Sequence, residues 1–111
     1  MVRFLLAAAM AVFSFPAAAQ GCMALDAFRA MLDVQGISHD VLTVARTRAA
    51  AAMVDEATGA ENSGWDVAVV GLAPDGSLFV AVGKDGAICA KLDIPEDGYK
   101  VILRRIYGWR V

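Results

Sequence analysis

The 111 residues carry ten lysines and arginines against twelve aspartates and glutamates, a net charge of −2, and 59 % of them are hydrophobic. A chain of this length holds one small domain; it is too acidic for a general nucleic-acid binder and too apolar for a disordered segment. One histidine and two cysteines exclude a four-ligand zinc centre built from those residue types alone.

Met1-Val2-Arg3 supplies a short positive region, and Phe4 to Phe15 is apolar except for Ser14. Pro16 breaks the run, and Ala17-Ala18-Ala19 has the small-x-small spacing that signal peptidase cuts. Charge, greasy segment, breaker and small residues in this order predict a secretory leader over residues 1–19. The run is shorter than the about 20 apolar residues that cross a bilayer, so no transmembrane segment is expected after cleavage. The competing reading is a helix buried in a cytosolic domain, but Arg3, Pro16 and the alanines all fall where export needs them. Cleavage after Ala19 leaves a single α+β domain over residues 20–111, in the periplasm or outside the cell. It also removes Arg3, leaving nine basic residues against twelve acidic, net −3.

Cys22 follows the cleavage point closely. A lipid-attachment signal would place Leu or a similar residue three before the cysteine, where Ala19 stands, with Gln20 and Gly21 between. That fit is poor, although a lipid anchor on Cys22 stays an alternative. In an oxidising compartment the pair left after cleavage, Cys22 and Cys89, has one possible connectivity.

Met23 to Val34 reads as a helix, with Leu25, Phe28 and Leu32 at helical spacing and Asp26, Arg29 and Asp33 on the other face. Gly36 stands where a left-handed cap belongs. Ile37 to Gly59 admits two readings: a helix capped by Ser38, or an extended piece at Val41–Ala45 followed by a helix over about Thr47–Ala57. The second is adopted. The segments 65–73, 77–83 and 87–93 then read as three strands of an antiparallel meander, joined by turns that contain Asp75-Gly76 and Asp85-Gly86. The first two are apolar on both faces and call for cover on both. In the third, Ile88, Ala90 and Leu92 alternate with Cys89, Lys91 and Asp93, one face for the core and one for water.

Asp93, Pro95 and Glu96 resemble a capping box for a last helix striped by Tyr99, Ile102, Leu103 and Ile106, although Tyr99, Val101 and Leu103 also alternate like a strand. The expected fold is thus an N-terminal and a second helix on a three- to four-stranded sheet, a C-terminal helix, and one disulfide.

No catalytic constellation or cofactor motif emerges. A small hydrolase using scattered acids and His39 is the enzymatic alternative, but adjacent His39 and Asp40 would diverge on a helix. The glycines punctuate turns and open no helix, so no phosphate cradle is expected. The leading expectation is a non-enzymatic binding or accessory module, an inhibitor of or scaffold for another envelope protein. Its candidate contact residues are Arg104, Arg105, Tyr107, Trp109 and Arg110, since arginine and aromatic residues dominate binding hot spots. The partner would be an envelope protein or an anionic cell-wall component. From Gly98 onward there are four basic residues and no acid, whereas Ala50 to Asp97 holds nine acids and two lysines. The plainer alternative is that this basic tail lies against the acidic middle of its own domain, with Tyr99 and Tyr107 in the core.

Overall fold

A computed structural model describes residues 12–14, 22–60, 63–95 and 98–110. Of the expected leader, only Val12–Ser14 falls within that set; the cleavage point and Glu96 lie outside it. Strands β1 (Val12–Ser14) and β2 (Met23–Ala24) precede helix α1 (Leu25–Val34), strand β3 (Ser38–Val41) and helix α2 (Val44–Thr58). Strands β4 (Val67–Leu72), β5 (Leu78–Lys84) and β6 (Ala87–Ile94) follow, and helix α3 (Tyr99–Arg105) closes the order. The sheet runs β1-β6-β5-β4-β3, with β2 also on β6, and every pairing is antiparallel. It therefore has six strands among the described residues rather than three or four. The extra ones are too short for a periodic pattern to reveal.

The two hairpins form where the Asp-Gly pairs placed them. Asp85 and Gly86 both have positive φ, 57° and 77°, the pair of left-handed residues that a two-residue turn needs to match strand twist. At the other hairpin Asp75 accepts from the Ser77 amide at 2.9 Å and the Ser77 hydroxyl at 2.7 Å.

Helix α1 begins without a side-chain cap, and the Leu25 amide donates instead to the Gly86 carbonyl at 3.0 Å. It ends in paired reverse bonds, Ile37 N to Leu32 O at 2.9 Å and Gly36 N to Asp33 O at 3.1 Å, which need the left-handed Gly36 (φ 72°). The extended piece sits three residues earlier than expected. Ser38–Val41 pairs with β4, and Thr43 caps α2 by accepting from Arg46 N at 3.4 Å. Pairing with β4 wins the segment from helix propensity, which takes over only once Thr43 supplies a cap.

The helices occupy both faces of the sheet. Phe28 and Leu32 of α1 pack on Val69, Phe79, Ala81 and Ile88. On the other face α2 and α3 deliver Ala50, Met53, Val54 and Ile102 onto Ala68, Val70, Val80, Val82, Ala90 and Leu92. Both layers follow from the two-sided apolar character of β4 and β5.

In β6 the expected alternation fails at one point. Val82 pairs with Ala90 and Gly83 with Ile88, so Cys89 is an extra residue in the ladder. This bulge turns Ile88 toward α1 while Ala90 and Leu92 stay toward α2 and α3. The partner position is Gly83, where any Cβ would run into the Ala87 carbonyl.

The bulged Cys89 bonds Cys22. Cys22 continues the β2–β6 register of Met23↔Ile88 and Ala24↔Ala87, and the two Cα atoms lie 4.3 Å apart. That separation is the one found for directly opposite, non-hydrogen-bonded residues of antiparallel strands. The capping box does not form. Asp93 and Ile94 extend β6 opposite Phe79 and Leu78, Asp93 pairs with Lys91 at 3.1 Å, and Gly98 takes the cap position of α3. Ladder bonds outweigh a local cap.

Candidate functional site

Helix α3 is short and lies over the hairpin end of the sheet. It is anchored by Ile102 and Ile106, both almost fully buried. A cavity of about 360 Å³ opens between the helix and the strands. Val70, Leu72, Leu78 and Ile94 floor it from three adjacent strands, while Tyr99, Ile102 and Leu103 wall it from the helix. Tyr99 and Tyr107 are the lining residues whose side chains carry a polar group. Leu72 and Tyr99 at its rim are 47 % and 44 % exposed, so apolar surface reaches the solvent there.

The Tyr107 side is tightly tied. Its hydroxyl donates to Asp40 Oδ2 at 2.7 Å, and the Arg46 guanidinium lies 4.6 Å above its ring. Burial, then the hydrogen bond and charge of Asp40, push its pKa up to about 12, against the mild opposition of Arg46. A folded-state value above the ordinary 10.0 means that Tyr107 stabilises the fold fully below pH 10. That contribution is lost as the pH rises to about 12. Thermal melts should accordingly fall through that window, and Tyr107→Phe should flatten the decline. An unchanged alkaline profile in Tyr107→Phe would remove Tyr107 as the cause.

A second cavity of about 340 Å³ lies on the opposite face beneath α1, and Lys91 and Asp93 reach its edge. It is more polar, and Lys91 Nζ caps the Phe79 ring at 5.0 Å.

The residues singled out for partner contact do not act as one group. Arg105 makes a two-pronged bond to Glu56, at 3.0 and 2.7 Å, which holds that carboxyl below the usual carboxylate range. Tyr107 is half-buried and engaged with Asp40. Both contact acids earlier in the chain, Arg105 within the acidic middle at Glu56 and Tyr107 outside it at Asp40, while Tyr99, at 44 % exposure, stays out of the core. Arg104, Trp109 and Arg110 stay on the surface, Trp109 at 57 % exposure with its backbone amide tied to Leu103 O. Trp65 donates to Asp55 at 3.2 Å, and Ser63 to the same oxygen at 2.8 Å, clamping the loop after α2.

His39 lies on β3, not a helix, with Nδ1 3.1 Å from the Ile37 carbonyl, a contact that puts the proton on Nδ1. Asp33 is its nearest carboxylate at 3.9 Å. Among the described residues no cluster of three metal-ligating side chains forms, and no helix is long and apolar enough to cross a membrane.

The α3 cavity escapes sequence reading because its floor comes from residues 70, 72, 78 and 94, brought together only by strand register. One part was readable: the Asp75-Gly76 turn implies that Leu72 faces Leu78. Comparison with family models, with curated proteins and with solved structures finds no match.

Proposed function

We propose that this protein is a small exported binding module, processed after Ala19, whose α3 cavity receives an apolar or amphipathic guest. The cavity is the observation that carries the reading. Its volume of about 360 Å³ falls in the range of small-molecule sites, which are concave, mainly hydrophobic and oriented by a few polar groups. Here Tyr99 and Tyr107 are those groups. The floor is rigid, three paired strands, whereas the lid is a helix of seven residues that can adjust to a guest.

Export is supported by the leader grammar and by a disulfide, which persists in oxidising compartments. With its sulfur bonded to Cys89, Cys22 cannot at the same time carry a thioether-linked lipid.

Titration with decanoate, followed by methyl chemical shifts, tests the reading. Shifts should concentrate at Leu72, Ile94 and Leu103. Leu103→Trp, which fills the space, should weaken binding by at least about tenfold, equivalent to ~1.4 kcal/mol. No decanoate binding by wild type, or equal binding by a folded Leu103→Trp variant, would dismiss the cavity as a site.

A further inference from the structure

Strand β6 is paired along its whole inner side by β5, but its outer side is covered piecemeal. Met23 and Ala24 cover Ile88 and Ala87, the disulfide covers Cys89, and Val12–Ser14 pairs with Ala90–Leu92. The first two covers belong to the domain itself. The third belongs to the leader. Cleavage after Ala19 therefore strips the outer backbone groups of β6 from Ala90 to Leu92, and a bare strand edge is a template for pairing with another chain.

We infer that a second copy of this chain docks there, β6 running antiparallel to its counterpart about a two-fold axis through Leu92. This inference rests on removal of the leader. That a strand can lie on this edge is visible in the pairing of Val12–Ser14 with Ala90–Leu92. Charge selects the register. Lys91 and Asp93 lie two apart on the α1 face, so an axis at Leu92 sets each Lys91 opposite Asp93 of the other copy, twice per interface. An axis at Lys91 would oppose two lysines, and one at Asp93 two aspartates. Opposite charges directly across a ladder stabilise it and like charges destabilise it. The contact is isologous and closes on itself, as two-fold interfaces do. It would join two sheets into one with the α1 layers of both copies on the same side.

The test uses the chain expressed with its own leader and recovered after export. Intact mass reports cleavage, and sedimentation velocity over a concentration series reports self-association. The expected result is a cleaved chain in monomer–dimer equilibrium. Asp93→Lys, which sets lysine side chains opposite each other, should weaken association by about tenfold. The double variant Asp93→Lys with Lys91→Asp should restore it. Amides of Ala90 to Asp93 in wild type should exchange more slowly as concentration rises, a readout that needs no variant. A cleaved chain that stays monomeric, or amides whose exchange ignores concentration, would overturn the docking site alone. Dimers indifferent to Asp93→Lys in a folded variant would overturn the register and the surface with it. A recovered chain that keeps residues 1–19 would overturn both this inference and the export reading.

Discussion

Replacing both cysteines, Cys22→Ser with Cys89→Ser, should lower the unfolding free energy of the chain by about 4 kcal/mol and its melting temperature by roughly 20 °C. The bond spans 67 residues of sequence, so its absence returns a large loop to the unfolded ensemble. For a domain of this size that is a substantial fraction of the usual total of about 5–15 kcal/mol. Reducing wild type with dithiothreitol should reproduce the shift, because both treatments break the same tie. Calorimetry of the oxidised, reduced and double-serine chains decides the matter. Coincident melts would show that the noncovalent contacts of β2 and α1 are sufficient alone.

Phe28→Ala should be comparably severe, costing about 3–5 kcal/mol. Phe28 is 1 % exposed and meets the Phe79 ring edge-on at 6.2 Å between centroids. No other aromatic ring from α1 enters that layer. The ten-residue helix is too short to persist in water by itself, so its order comes from the surface it buries. Gly71 is part of the same arrangement, since a Cβ there would collide with the Phe79 ring. Urea titration checks the expectation: the midpoint should fall while the slope stays near wild type. A loss below about 1 kcal/mol would mean that the α1 layer repacks without its largest side chain.

These effects follow from elements whose legibility in the sequence differs sharply. The hairpins were legible because Asp75-Gly76 and Asp85-Gly86 act locally, through backbone angles few other residue pairs accept. The disulfide partners followed from number alone, two cysteines permitting one bond. Helix α1 was legible from Leu25, Phe28 and Leu32, and its end from Gly36. Where the reading slipped, a distant partner decided the outcome. Ser38–Val41 became a strand because β4 was there to receive it, and Asp93 left its expected cap because Phe79 stood opposite. The Cys89 bulge has no local signature, since Ile88, Ala90 and Leu92 alternate as in any regular strand. Its nearest hint is Gly83, which in retrospect marks a close backbone approach. The site was less legible still. Arg105 and Tyr107 are candidate partner contacts by residue type, and residue type does not show that Glu56 and Asp40, 49 and 67 residues away, bond them. The α3 cavity arises where a short helix meets residues of three adjacent strands, a juxtaposition no residue pattern encodes.

The position of the sulfur bridge bears on more than loop entropy. Slipping an antiparallel pair by one residue displaces it about 3.3 Å and inverts which side chains face inward. Strands made largely of valine and alanine offer few bulky markers against such an error. A bond joining directly opposed residues acts as a ruler: in the oxidised chain, misaligned pairings of Met23–Ala24 with β6 are out of covalent reach, whatever hydrophobic surface they would bury.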